Sequence, residues 1–436
     1  MQLDIRNAQV EPDEVALHVE TLEPYIQKLK EVAEAVDFTS PEASINLPSD
    51  LTQREVISAL HQEIENVELK YIFLIGIGGS NLGTKAVYDA LYGYADTIKE
   101  NREPKIIFVD TNDTTLLQSA LHVVKNQISS INEVLLISIS KSGGTTETIV
   151  NTEIVLKGLL DKFGDESYER VVGITGEGSV FEKELKSKGI RILHIPEKVG
   201  GRFSVFSPVG LFPLLAAHID IDELLSGALD MRNRCLDDTF SKNTAMQSAI
   251  AIYLANRRGQ RINTNFVFHP ELESLGKWYR QLLAESTGKK ENRKGDTVYA
   301  GITPEVSVGS TDLHSMAQLY LGGPNDKITT FINSTNDEDD IDISDRIFNL
   351  IPEVTKKTNK EVMDAIYNGV KAAYEKSGRP FIEISFEDLS LYEIGAFMQF
   401  KMMEVMFLAE LLNIDAFNQP SVEEYKVETK RILKEK

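Results

Sequence analysis

The chain has one cysteine among 436 residues. Cys235 therefore has no internal partner, which excludes a disulfide framework and predicts a reducing, cytoplasmic setting. In M-R-N-R-C-L it reads as a packed helix thiol rather than a nucleophile. Basic residues are also scarce: 46 Lys and Arg face 67 Asp and Glu, a formal charge of −21. That balance argues against nucleic acid or an anionic membrane as the main partner. An anionic substrate would then need a local cluster of Arg and Lys set into an acidic exterior. Long charge-free apolar runs are missing too. The most apolar stretch, 391–412, carries Glu393, Gln399, Lys401, Glu404 and Glu410, so it predicts a largely buried helix and not a membrane span. Ser390 with Glu393 three residues on predicts a capping box at its start. The N-terminus, M-Q-L-D-I-R-N-A, has no basic-then-apolar secretion pattern. The acidic run D-E-D-D (337–340) has no histidine or second acidic cluster to complete a metal site and predicts a solvated loop.

What is present is a rhythm of short apolar runs bounded by turn residues, with helical patterns between them. The first half offers 71–75, 105–109, 134–139, 170–174 and 191–195; the second offers 265–268, 297–301, 327–332 and 381–385. Continuous apolar strands alternating with helices predict parallel sheets covered on both faces. The chain length suits two such α/β domains, joined somewhere in 200–230.

Three Gly-rich turns carry the chemistry. G-I-G-G-S-N-L-G (76–83) lies between a strand and a helical pattern, where backbone N–H groups and the helix dipole bind anions. By itself it suits a nucleotide or a sugar phosphate equally: Asn81 stands at the third-glycine position of a dinucleotide fingerprint, yet Asp110 could serve as a ribose acid. S-K-S-G-G-T-T-E-T (140–148) offers the hydroxyls of Ser140, Ser142, Thr145, Thr146 and Thr148 around two glycines, more than a helix cap needs. It lacks the G-K-[ST] ending of a nucleoside-triphosphate loop. In E-K-V-G-G-R-F-S-V-F-S-P (197–208), paired glycines bring the backbone close to a neighbour and hold Arg202 beside it. Its planar fork suits an anionic oxygen or phosphate. Together the turns predict a pocket for a phosphorylated small molecule.

With these motifs in order, the chain resembles the glucose-6-phosphate isomerases from about residue 70 to its end. G-G-R-F-S-x-x-S-P is specific to that family, and F-N-Q-P-S-V-E-E-Y-K (417–426) is similar to its second signature, with Asn418 where Asp is usual and Ser421 where Gly is usual. The resemblance implies an α/β fold of two SIS (flavodoxin-like) domains, at 51–215 and 216–410. A helical extension (1–50) would precede them, and a C-terminal segment (411–436) would carry the last site residues. It further implies a homodimer with sites at the subunit interface. The activity implied is reversible isomerisation of D-glucose 6-phosphate and D-fructose 6-phosphate in glycolysis and gluconeogenesis.

Carried over by the resemblance, Ser140, Ser142, Thr145 and the backbone near Lys141 hold the phosphate. Gly78, Gly79 and Ser80 lie against the sugar, with Gly201 beside them and Glu147 at its helix start. Arg202 faces the reacting oxygens. Glu285 in A-E-S-T-G-K is the base, and His314 in S-T-D-L-H-S is the ring-opening group, contributed by the neighbouring subunit. Gln419 and Lys426 complete the set. The chemistry suits these types: one carboxylate can move a proton between adjacent carbons, and a fixed cation can meet the enediolate oxygen. Imidazole titrates near neutral pH, as ring opening requires. Neither step calls for a metal or an organic cofactor, and none is expected. Each residue alone has a commoner role: Glu285 as a solvated helix end, His314 as a cap, Lys426 as an exposed lysine, Arg202 as an ion-pair partner. Trp278 and Tyr279 fit core packing, and the other six histidines lack any such context. A non-catalytic SIS-domain sugar-phosphate sensor would have no reason to keep the four chemical residues together. A nucleotide-dependent oxidoreductase would leave 140–148 and 200–202 unexplained.

Overall fold

The computed structural model describes every residue except 337–339, 344–346, 349 and 436, with the backbone alone at 94 and 97. The strands, in chain order, are β1 (Gln2–Asp4), β2 (Tyr71–Ile75), β3 (Lys105–Val109), β4 (Val134–Ser140), β5 (Val171–Thr175), β6 (Arg191–His194), β7 (Ile262–Val267), β8 (Lys289–Glu291), β9 (Thr297–Ala300), β10 (Thr303–Val308), β11 (Lys327–Ser334) and β12 (Phe381–Phe386).

The first sheet has the order β3-β2-β4-β5-β6, every neighbouring pair parallel. Helices on both faces leave β4 buried at each of its residues, which is why it reads as an unbroken apolar run. Strand order reverses between β2 and β4, so the loops leaving these two strands flank a flavodoxin-type switch point, where α/β sheets bind ligands. The first and second Gly-rich turns are those loops.

The second sheet has the order β1-β12-β11-β7-β10, parallel among β7, β10, β11 and β12. It repeats the first topology, with its reversal at β7. Its remaining outer place is filled by β1, antiparallel to β12. The N-terminal extension is thus not helical throughout: its first residues complete this sheet, and the helix Pro12–Ala35 follows. A second correction concerns 297–301. These residues do not join the parallel sheet; β9 pairs antiparallel with β8 as a hairpin, and β10 takes the sheet position. Val298 and Tyr299 are exposed, so nothing buried holds them to a sheet face. The edge strand β10 accommodates Pro304, which a central strand would not.

One apolar core runs from Ile72 and Ile137 through Phe206 and Phe212 to Ile332 and Ile382. The helix Leu391–Leu411 lies inside it, buried over nearly its whole length. Two glycines let it approach the helix Ile221–Cys235. A Cβ on Gly395 would stand 2.0 Å from the Leu224 carbonyl oxygen, and one on Gly227 would stand 1.9 Å from that of Tyr392. Its mid-helix charges are internal. Lys401 Nζ donates to Glu404 at 2.8 Å with both side chains fully buried, and Glu404 also accepts from Ser248 and, at 2.6 Å, from Tyr279. A buried pair is tolerable only when hydrogen-bonded in this way. The capping box is half formed: Ser390 accepts from the Glu393 N–H, but the Glu393 carboxylate accepts from the Met1 ammonium at 2.5 Å. Cys235 is buried, which pushes its thiol up to about 11, as a packed rather than a reactive group requires. Of the acidic run 337–340, the first three positions lie outside the described residues. Asp340 accepts from the N–H groups of Ile341 and Lys360. Among the described residues no helix is long and apolar enough to cross a membrane.

Candidate active site

The first and third turns are pressed together. Gly78–Ser80 forms a 3-10 turn after β2, and Gly201–Phe203 forms another. A Cβ on Gly79 would lie 2.2 Å from the Gly201 carbonyl carbon and 2.7 Å from Arg202 N, so only glycine permits this contact. Ser204 Oγ donates to the Gly201 and Gly79 carbonyls at 2.7 and 3.4 Å. Gly78 has φ +59, and a Cβ there would meet the Gln281 side-chain nitrogen at 2.9 Å.

The second turn is fastened to the third by Lys141. Its Nζ donates to the carbonyls of Glu197 and Val199, each at 2.7 Å, and burial lowers its pKa. The lysine side chain is thereby committed to the neighbouring turn. Ser140 Oγ donates to Thr145 Oγ1 at 3.3 Å, and Ser142 Oγ accepts from Gly144 N–H. Thr145 occupies the N-cap of Thr146–Phe163 but makes no side-chain capping bond, so its hydroxyl is not spent on the helix. Glu147 lies in the first turn, partly exposed. Thr148, one of the five hydroxyls, is turned into the core and belongs to no cradle.

Arg202 is 3% exposed, and all five N–H donors of its guanidinium have an acceptor. Nε donates to Ser286 Oγ at 2.9 Å; Nη1 donates to Glu285 at 3.3 Å and Gln419 at 3.1 Å. Nη2 donates to the carbonyls of Ala416 and Asn418. Burial lowers its pKa, opposed by Glu285 and Asp415. Glu285 lies in the last turn of the helix Glu273–Thr287, with its side chain 30% exposed and a second bond from Gln281 Nε2 at 3.0 Å. A carboxylate, a fixed guanidinium and an amide thus meet beside the glycine turns. The helix bringing Glu285 follows β7 of the second sheet, while the glycine turns leave the first. The two halves of the chain build the site jointly.

His314 and Lys426 are not brought to this cluster within one chain. His314 sits exposed on the 3-10 turn Thr311–His314 after β10. Lys426 stands on the C-terminal helix Glu423–Glu435, bonded at 2.7 Å to the exposed Glu423. Conversely, Gln281, Ser286 and Lys289 touch the cluster without having been expected there. Gln281 had a legible signal, since it precedes Glu285 by one helical turn on the same face. Ser286 and Lys289 lie inside the A-E-S-T-G-K motif but carried no role of their own. Trp278 and Tyr279 are buried in the core, as expected.

A family model described as phosphoglucose isomerase matches residues 49–436. The chain belongs to the phosphoglucose isomerase family. The glucose-6-phosphate isomerase of Methanocaldococcus jannaschii is 34% identical over 369 residues, 84% of each chain. Among solved structures, a hypothetical protein of Thermus thermophilus matches at TM-score 0.85 and 28% identity, covering 99% of both chains. A glucose-6-phosphate isomerase of Chlamydia trachomatis matches at TM-score 0.83 and 20% identity, covering 99% of this chain and 88% of its own; it bears on the fold alone. Within the phosphoglucose isomerase family, the two departures in the second signature have simple accounts. Asn418 acts here through its backbone carbonyl, with its side chain in an exposed residue. Ser421 lies in the turn Pro420–Val422 and has no positive φ, so its position does not require glycine.

Gly79→Ala is expected to force the first and third turns apart, costing about 1–3 kcal/mol and reducing kcat/KM. Urea unfolding beside steady-state kinetics checks this. An alanine variant with unchanged stability and rate would show that the contact is not needed.

Proposed function

We propose that the protein interconverts D-glucose 6-phosphate and D-fructose 6-phosphate as a cytoplasmic homodimer. The observation that carries this reading is the buried Arg202, whose Nη1 bridges Glu285 and Gln419 next to two anion-binding turns. The phosphate sits among Ser140, Ser142, Thr145 and the backbone amides around Lys141. An acid and a base, His314 and Lys426, open the ring. Glu285 then takes the proton from C2, the C–H electrons form the enediolate double bond, and the carbonyl electrons move onto oxygen. That oxygen takes over an Nη1 hydrogen of Arg202 from Gln419 or Glu285, in a buried setting where such a bond is strong. Glu285 returns the proton to C1 while the O2 hydroxyl proton passes to O1, leaving a hydroxyl at C1 and the carbonyl at C2.

A discontinuous assay tests this: protein stripped of nucleotide is given fructose 6-phosphate, and glucose 6-phosphate is measured. Tight binding without turnover would point to a sensor and end the proposal.

The position of His314, exposed on the turn after β10 and bonded to no group of the Arg202–Glu285 cluster, supports a site completed across a two-fold interface. Mixing Glu285→Gln protein with His314→Ala protein should then restore about a quarter of wild-type activity, because half the dimers are hybrids and each hybrid holds one intact site. No rescue after demonstrated subunit exchange would refute sharing.

A further inference from the structure

We propose that Lys289 is a positioning residue for this reaction, its ammonium clasping the end of the helix that carries Glu285 to the segment that carries Gln419. Lys289 opens β8, two residues beyond that helix. Its Nζ donates 2.7 Å to the Glu285 carbonyl and 2.5 Å to the Asn418 carbonyl, and the residue is 7% exposed. The Asn418 carbonyl also accepts from Arg202 at 3.4 Å. Two cations therefore converge on one backbone oxygen, and the next residue is the Gln419 that Arg202 Nη1 holds. Glu285, Arg202 and Gln419 keep their mutual geometry only while segment 416–419 stays docked. Arg202 and Lys289 supply hydrogen bonds that dock it, beside the apolar contact of Phe417 with Phe203.

An ammonium is a costly group to bury on carbonyl dipoles, and apolar contact would fill the same space at less cost. Its retention is explained by what it joins. Burial, then Arg202, pushes Lys289 down to about 8, opposed by Asp415 and Glu285. Across the groove beneath it stand the ion pairs Lys28–Glu42 and Arg293–Glu410. The clasp is charged at neutral pH and loses its charge as pH rises through about 8. For this group the unfolded chain holds the proton more tightly than the folded one. Its contribution to folding stability therefore rises, rather than falls, between that value and the ordinary lysine value. Titration of Lys289 by itself thus does not destabilise the fold.

This rests on Glu285 and Arg202 carrying the chemistry, and the test separates the two ideas. Lys289→Met, Lys289→Arg and Glu285→Gln are compared in the full chain. The readouts are kcat, KM for fructose 6-phosphate, inhibition by inorganic phosphate, and hydrogen exchange across 412–422. Lys289→Met should lower kcat about 10- to 100-fold through misplacement of the base and guanidinium. It should speed exchange in 412–422 and leave phosphate inhibition unchanged. Lys289→Arg should recover part of kcat and move the alkaline limb of its pH profile upward, because a guanidinium does not titrate there. Wild-type kcat or unchanged exchange in Lys289→Met overturns the proposal. If that variant does not fold, an unmoved alkaline limb in Lys289→Arg overturns it instead. Turnover surviving in Glu285→Gln would refute the catalytic assignment, while exchange in Lys289→Met would still decide the clasp.

Discussion

Glu285→Gln should lower kcat by about 100- to 10,000-fold, the usual contribution of a positioned acid–base group, while the protein stays folded and still binds inorganic phosphate. Glutamine keeps the shape of the side chain, and its amide oxygen can still accept from Arg202 Nη1, so the bond at 3.3 Å has a neutral replacement. What it cannot do is carry a proton between C2 and C1. The Gly-rich turns proposed to hold the phosphate follow strands of the first sheet and are held by Lys141 and Ser204, not by Glu285. Loss of turnover with retained phosphate binding is therefore the expected signature. Solvent-hydrogen exchange into the substrate, followed by mass spectrometry, gives a second reading, since it reports proton abstraction even without net isomerisation. Retained kcat, or exchange at the wild-type rate, would remove Glu285 as the base.

Arg202→Lys should lose both turnover and stability. The guanidinium reaches a side-chain hydroxyl, a carboxylate, an amide and two backbone carbonyls at once. A lysine ammonium is a compact point charge with three donors and cannot span that set. Each buried group left without its partner costs about 1–3 kcal/mol. If Arg202 is the oxyanion donor proposed above, its loss should reduce kcat about 100- to 1,000-fold. Steady-state kinetics together with urea unfolding separates the two effects. If the arginine were a structural ion-pair partner alone, stability would fall while kcat per folded molecule held, and that result would exclude a role for Arg202 in the chemistry.

Much of the first sheet was legible because its inner strands β2, β4 and β5 are buried almost throughout, and burial leaves an unbroken apolar signature. The bounds expected for β2 and β3 are those observed, and β4 differs only at its end. The second sheet was harder to read. β7 opens I-N-T-N, and its Asn263 and Asn265 are poor strand formers. They are kept in the core by bonds to Thr330 and to each other. β10 contains a proline and a glutamate, and only its edge position makes it a strand. β1 was missed because three residues have no periodicity to read, and its pairing partner lies at the far end of the chain, with Gln2 opposite Ser385.

Local chemistry in the sequence determined the three Gly-rich turns and the buried charged helix, because turn residues, caps and apolar runs act through near neighbours; Glu285 was singled out only by the motif it shares with a family. Tertiary structure decided which of those groups meet. Arg202 and Glu285 are 83 positions apart and Arg202 and Gln419 are 217 apart. Their contact exists because a turn beside the first sheet, a helix leaving the second and the C-terminal segment converge. The roles of Lys289 and Ser286 were invisible for the same reason: a lysine beside a glutamate in a motif says nothing of which carbonyl it will reach until the chain has closed around it.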